Sequence, residues 1–188
     1  MRKAVGLGLS AAAIFATGLS MPAASAAVTS TAVSAPPGGP SAQTTVTFAV
    51  TSGALTITAP ATANLGSGAP GTDISGEVGT TTVTDDRALL SASWNATASA
   101  TDFTTAGGTT PEIIPATDVD YAPGTITTTG GITATPHDIT LDHEPQLVVA
   151  GTAGVGNNTA SWDPTLTVHV PDQAVTGTYT GTLTQSVS

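Results

Sequence analysis

The sequence contains no cysteine, and its positive charge is scarce and confined to a few positions. Without disulfides the fold must depend on an apolar core, for which a chain of 188 residues is long enough. Arg2 and Lys3 lie at the N-terminus, so Arg87 alone faces 13 acidic side chains over the rest of the chain. Because one cation cannot neutralise a row of phosphates, the charge pattern excludes nucleic-acid binding and attraction to anionic lipid.

The N-terminus has the three parts of a secretory signal peptide. The two basic residues precede an uncharged run from Ala4 to Leu19, and Ala24-Ser25-Ala26 forms a small-x-small site. We predict cleavage after Ala26, which leaves residues 27–188 with a formal charge of 1 − 13 = −12. Since no later apolar run reaches the ~18 residues that a spanning helix needs, we expect a secreted protein with no membrane span.

Two segments follow the predicted signal peptide. Residues 27–43 are uncharged and rich in proline, glycine and small side chains, a composition typical of a flexible linker. Residues 44–188 are rich in threonine, valine and isoleucine, whose β-branched side chains favour strands over helices. The sequence therefore predicts one β domain behind a linker.

Several segments of this domain alternate apolar and polar residues, which is typical of half-buried antiparallel strands. They are Val46–Val50, Leu55–Thr58, Leu90–Ala98, Leu166–Val170 and Tyr179–Val187. Gly130-Gly131 predicts a hairpin turn, and the cluster from Gly151 to Asn158 predicts another turn. We expect an all-β fold of about eight to ten short strands, an antiparallel β-sandwich of immunoglobulin-like or similar form.

Catalytic motifs are missing. There is no thiol and no G-x-S-x-G elbow, and the glycines at 151, 154 and 156 lack the lysine and helix of a phosphate-binding loop. Serines and three histidines leave open a triad assembled from distant segments. We nevertheless expect no enzyme and no cofactor.

The densest ionisable segment runs from His137 to Glu144 and raises the question of a metal site. On a strand, His137 and His143 would be about 20 Å apart, too far to bind one zinc ion. Asp142 and Glu144 leave a weak calcium site open, although the spaced ligands and glycine of a calcium loop are missing. We therefore expect a solvated acidic surface and no metal.

Aromatic residues and hydroxyls remain as candidate ligand contacts. Trp94 lies on the apolar face of its segment, which favours a core role, whereas Trp162 precedes Asp163-Pro164 at a predicted turn and should be more exposed. Exposed aromatic rings stack on neutral sugars without needing positive charge, so sugar is the ligand class that this composition favours. The threonine row at 178, 180, 182 and 184 adds regularly spaced hydroxyls; ice binding by such a row requires matching rows on stacked strands, and a solvent-facing surface is expected instead.

Several of these segments, in the same order, resemble a WxL domain. The matching segments are Gly53–Ile57, Val83–Arg87, Trp94, Thr101–Phe103, Trp162, Leu166–Pro171 and Gly177–Thr184. Trp94-Asn95-Ala96 stands where the family has Trp-x-Leu, and Gln185-Ser186-Val187 stands near the C-terminus, where the second motif of the family carries Trp. The chain thus resembles a divergent, WxL-like secreted surface protein of Gram-positive, actinobacterial type.

The resemblance implies an all-β domain that binds the Gram-positive cell wall non-covalently, through peptidoglycan, and that also pairs with other surface proteins. The candidate wall-binding residues are Trp94, Trp162, Tyr179, Asp85 and Arg87. For the last two, the juxtaposition of a lone cation and carboxylates suggests an ion pair that fixes the chain entering the Trp94 strand. A structural module that pairs with another surface protein is the alternative function.

Overall fold

The computed structural model describes residues 42–105 and 107–188, so the predicted signal peptide and most of the predicted linker lie outside the described residues. The described part contains twelve strands and two short 3-10 helices, Thr110–Glu112 and Ala116–Asp118. No helix within it is long and apolar enough to cross a membrane. The strands are β1 (Leu55–Thr58), β2 (Asp73–Glu77), β3 (Thr81–Ala100), β4 (Phe103–Thr104), β5 (Ile113–Ile114), β6 (Val119–Ala122), β7 (Ile126–Thr129), β8 (Thr133–Pro136), β9 (Ile139–Thr140), β10 (Gln146–Trp162), β11 (Thr165–His169) and β12 (Leu183–Val187).

The chain divides into two units, residues 1–51 and residues 52–188. Of the first unit only residues 42–51 are described, and they form no strand. The predicted strand at Val46–Val50 is therefore wrong. Its alternating pattern defines an apolar face, but a strand also needs a backbone partner, and Val46 and Phe48 are 77% and 72% exposed.

Residues 52–188 form antiparallel sheets that enclose one core. The larger sheet has the order β1-β3-β10-β7, with β12 also paired to β3 and β8 also paired to β10; the smaller has the order β2-β11-β6-β9. Val83 and Trp94 of the larger sheet share a buried cluster with Tyr121 and Leu166 of the smaller one. The predicted all-β, sandwich-like fold is confirmed.

Two long strands, β3 with 20 residues and β10 with 17, form the spine of the larger sheet. They pair from Gln146 with Ala98 to Trp162 with Thr81, and the register shifts between residues 147 and 158 of β10. Ala88 and Ala153 lie at positive φ, 55° and 61°, within this irregular part, as residues of bulges often do. The predicted turn at 151–158 is wrong, because its glycines accommodate bulges inside one strand.

Gly130-Gly131 joins β7 to β8 without reversing the chain. β7 pairs with Thr159–Trp162 and β8 with Val149–Thr152, so both run in the same direction along β10. The hairpin prediction is wrong, and the reason is steric. A Cβ on Gly130 would lie 2.3 Å from the carbonyl oxygen of Asn157, so the glycine allows this edge to approach the bulged strand.

Candidate functional site

Trp94 is a core residue, with 2% of its surface exposed. It pairs across the sheet with Gly151, and its Nε1 donates to Oδ1 of buried Asn158 at 3.5 Å. A Cβ on Gly151 would lie 2.3 Å from Cε2 of the indole, so the ring lies against the glycine backbone. The ring presents no face to solvent, and it is not placed to stack on a sugar.

Asp85 and Arg87 form the predicted ion pair, which the structure confirms. Arg87 Nε and Nη2 donate to the two carboxylate oxygens of Asp85, each at 2.8 Å, and Nη2 also donates to the carbonyl oxygen of Ser93. Asp85 is fully buried and Arg87 is partly exposed. The pair lies at the bulge within β3, not in a loop before it, and it bridges the two sides of that bulge.

The electrostatics follow from this geometry. The hydrogen bonds from the Arg87 side chain hold the pKa of Asp85 below its usual value, against the opposing effect of burial. The carboxylate raises the pKa of Arg87 in turn. Since Arg87 is the only Lys or Arg in the described residues, the described surface has no cation free of an anionic partner.

Trp162 belongs to a second buried network. Its Nε1 donates to the hydroxyl of Tyr121 at 2.9 Å, and this hydroxyl donates to Oε1 of Gln185 at 2.9 Å. Trp162 is 1% exposed, so the prediction that it is the more exposed tryptophan is wrong. The Asp163-Pro164 step takes the chain from one sheet to the other, and this brings the indole into the core.

Hydrogen bonds of its hydroxyl group hold Tyr179 at the edge of the core. Its hydroxyl donates to the carbonyl oxygen of Pro111 at 2.9 Å and accepts from the backbone nitrogen of Val175 at 3.1 Å. The ring packs on the edge of the core and is half-buried. Tyr179 thus ties the segment before β12 to the 3-10 helix at Thr110–Glu112.

The five residues proposed for wall contact therefore do not form one surface. Asp85 and Trp94 both contact Asn158, and Arg87 joins them through Asp85, whereas Trp162 and Tyr179 lie in two other places. Sequence reasoning missed Tyr121, Asn158 and Gln185. A polar Gln185 on the apolar face of its alternating segment was a signal that a buried hydrogen-bond partner faces it.

The acidic side chains are dispersed. His169 on β11 bridges Asp73 and Asp120 through its two ring nitrogens, at 2.8 and 3.0 Å. The two carboxylates lie at opposite nitrogens of the ring and do not converge, and no group of three or more ligating side chains in residues 42–105 and 107–188 is placed to hold a metal ion. His143 Nε2 lies 3.1 Å from Asp102 Oδ1.

A shallow depression of about 200 Å³ is too small and open for a typical ligand pocket, which encloses roughly 300–1,000 Å³. Asp118 is its one ionisable side chain. The lining residues are Thr110, Ile113, Pro115, Asp118, Pro171 and Gln173.

The outer face of the larger sheet carries the most regular surface feature. Two rows of four hydroxyl residues cross the strands β1, β3, β10 and β7 in matching register. All eight are exposed or half-buried, and none is charged. We call this the hydroxyl face; its rows are Thr56-Thr84-Thr159-Thr129 and Thr58-Thr82-Ser161-Thr127.

Within the hydroxyl face, neighbouring side chains hydrogen-bond to each other. Thr82 and Ser161 are 2.9 Å apart, and Thr129 and Thr159 are 2.7 Å apart, hydroxyl to hydroxyl. Neighbouring residues within a row lie on adjacent strands, about 4.8 Å apart, and the two rows are about 6.7 Å apart along the strands. The threonine row at 178–184 is different, because only Thr184 lies in a strand, β12, while Thr180 makes an isolated bridge to Thr104 of β4.

Comparison with protein-family models, with curated proteins and with solved structures finds no match to this chain.

Proposed function

We propose that this protein is a secreted, non-catalytic surface protein that binds cell-wall peptidoglycan non-covalently through the hydroxyl face. The observation that carries the proposal is the matched pair of hydroxyl rows across four strands. Hydroxyls accept and donate hydrogen bonds to sugar hydroxyls and amides, and they need no positive charge. The resemblance to WxL domains and the predicted signal peptide support the same location.

The buried tryptophans change which residues should make the contact. Sugar stacking needs an open ring face, and Trp94 and Trp162 are 2% and 1% exposed. Arg87 is the only Lys or Arg in the described residues and is bound to Asp85, so no free Lys or Arg contributes to the contact. The proposed contact is therefore polar and uncharged.

A glycan fits this face better than an ice lattice does. Adjacent strands of a sheet are rotated by roughly 20–25° relative to one another, so a four-strand array follows a twisted surface. A flat crystal plane cannot follow that twist, whereas a flexible glycan strand can. Each hydroxyl row is also only four residues long and ends at the sheet edges β1 and β7, so the array is small compared with an extended crystal plane.

The test is retention on purified peptidoglycan, measured with variants that remove hydroxyls without changing side-chain size. Thr84→Val and Thr159→Val lie at the centre of the hydroxyl face, and together they should lower retention by about tenfold, the effect of losing roughly 1.4 kcal/mol. Thr165→Val and Thr167→Val on the smaller sheet are the matched control and should bind like the native protein. Retention should persist in high salt, because the contact is uncharged.

Two results would refute the proposal. One is no retention of the native protein at any salt concentration. The other is equal retention by the hydroxyl-face variants and the control variants. Variants of Trp94 and Trp162 report on folding, because both side chains are in the core.

A second function, a module that pairs with another surface protein, is favoured by a different observation. Residues 42–51 belong to no strand, and Val46, Phe48 and Val50 expose 77%, 72% and 61% of their surface. An uncharged, alternating segment of this kind is suited to adding a strand to a partner's sheet. Co-purification of a surface protein that is lost on Phe48→Asp and kept on Thr47→Asp would support this function.

A further inference from the structure

The larger sheet has an interrupted edge. On one side of β3, β1 pairs with Thr82–Asp85 and β12 pairs with Ala96–Ala100. Backbone hydrogen bonds extend these pairings by one residue, from Gly53 to Asp86 and between Ser188 and Asn95. Within residues 52–188, no strand pairs with positions 87–94 on that side, and we call these positions the β3 gap.

The β3 gap exposes apolar surface. Leu90 is 87% exposed and Leu89 is 41% exposed, although both lie within a strand of the larger sheet. Exposed leucines beside unpaired backbone are a template for a further strand. Arg87 protects part of this edge, because its Nη2 occupies the carbonyl oxygen of Ser93.

The chain also carries a segment of matching length and chemistry. Residues 44–51 number eight, as do positions 87–94, and at about 3.3 Å per residue each spans up to roughly 26 Å. Val46, Phe48 and Val50 fall on one side of this segment and threonines on the other. An added strand of this pattern would turn three apolar side chains towards one face of the sheet and hydroxyls towards the other.

Charge also permits this pairing. Residues 42–52 contain no ionisable side chain, so their docking adds no carboxylate to an already anionic protein. Two copies nevertheless repel each other, because residues 27–188 carry a formal charge of 1 − 13 = −12. Since salt screens such repulsion, association of two copies should strengthen as ionic strength rises.

We propose that residues 44–51 of one copy add a strand at the β3 gap of a second copy. This inference rests on the second function proposed above and narrows its partner to another copy of the same chain. Because every chain has both a donor segment and a β3 gap, the exchange can be reciprocal and close as a two-fold dimer. A non-reciprocal arrangement of the same contact would build a chain of subunits.

Cysteine cross-linking tests this contact directly, because the native chain has no cysteine. One preparation carries Phe48→Cys and another carries Ser91→Cys in the β3 gap, and the two are mixed under mild oxidation. The expected product is a disulfide-linked pair that contains one chain of each kind. Ser75→Cys, exposed on the edge strand β2, replaces Ser91→Cys as the matched control and should give much less product.

Sedimentation of the purified protein provides the equilibrium test. The native protein should form dimers or longer assemblies that strengthen with salt, and Phe48→Asp should weaken association by about tenfold or more, because it would bury an unpaired charge. Thr47→Asp, on the other side of the segment, should weaken it less. Equal cross-linking at 91 and 75, or a monomer at all concentrations and salt levels, overturns the proposal. A complex with a different surface protein, without self-association, would overturn it while leaving the second proposed function in place.

Discussion

Trp94 and Gly151 face each other across β3 and β10, and the indole occupies the space that any larger side chain at 151 would need. A Cβ on Gly151 would lie 2.3 Å from Cε2 and 2.7 Å from Cζ2 of the ring. The pair therefore fixes where the two long strands meet in the centre of the larger sheet. Its size complementarity explains why Trp94 is internal in this chain.

Gly151→Ala should destabilise the protein by about 1–3 kcal/mol, the usual cost of overpacking a core. The measurement is the free energy of unfolding from urea titration. Trp94→Phe provides the control background, because phenylalanine lacks the fused ring that the new methyl group would strike. An alanine penalty that is the same in both backgrounds would contradict the proposed clash.

The alternating pattern predicted β1, β11 and parts of β3 and β12, because burial on one face is a local property of the sequence. Leu55–Thr58 forms β1, and Ala92, Trp94 and Ala96 in β3 are buried as the pattern indicates. The glycine clusters led to wrong predictions of turns. Gly130 and the glycines between 151 and 156 serve bulges and close approaches, which depend on the neighbouring strand and are not visible in one segment.

The candidate site was less predictable than the fold, because it depends on register between distant strands. The Asp85–Arg87 pair could be predicted, since the two residues are neighbours in sequence. The hydroxyl face could not, because a threonine row exists only when strands such as β1 and β7 align their T-x-T segments with those of β3 and β10. The exposure of Trp162 was predicted wrongly, because a turn at Asp163-Pro164 indicates a residue at the surface. Here the chain crosses from one sheet to the other at this step, and the indole is buried between them.

Removing Arg87 should leave the buried carboxylate of Asp85 without its main partner. We expect Arg87→Ala to lower the free energy of unfolding by about 3 kcal/mol, as is usual when one member of a buried ion pair is lost. Arg87→Lys should recover only part of this, because lysine cannot make the two parallel hydrogen bonds. Equal stability of the native protein and Arg87→Ala at neutral pH would contradict the role assigned to the pair.

The same pair should make stability depend on acid. The folded protein holds the pKa of Asp85 below the ordinary 3.8, so the stabilisation is complete above that value and is lost as the pH falls through the lower, folded-state pKa. The measurement is the free energy of unfolding between about pH 5 and pH 2, the range in which carboxylates ordinarily titrate. As the pH falls through this range, the free energy of unfolding should decrease more steeply for the native protein than for Asp85→Asn. Parallel pH profiles of the two proteins would exclude this assignment.

His169 should have the opposite pH dependence. Hydrogen bonds from its ring to Asp120 and Asp73 raise the pKa of His169 above the ordinary 6.5, so its contribution is present below that value and is lost as the pH rises through the folded-state pKa. The effect on stability is small because the ring is about half exposed. Titration of the His169 ring protons by NMR should show the raised pKa, and Asp120→Asn should lower it; an unchanged pKa in that variant would rule out the bridge.

Tyr121 hydrogen-bonds to both Trp162 and Gln185, and the ionisation of its phenol should make the stability of the protein depend on pH in the alkaline range. Burial raises the pKa of Tyr121 to about 12, so the folded protein keeps the phenol protonated while the unfolded chain loses the proton near the ordinary value of 10. Stability should therefore decline as the pH rises from 10 towards 12, and Tyr121→Phe should remove that decline.

At neutral pH Tyr121→Phe should be about 1–3 kcal/mol less stable than the native protein, because the buried Trp162 Nε1 loses its acceptor at 2.9 Å. Unfolding followed by tryptophan fluorescence at pH 7 and pH 11 measures both effects, and a variant that matches the native protein at both values would show that the hydroxyl contributes nothing to the core.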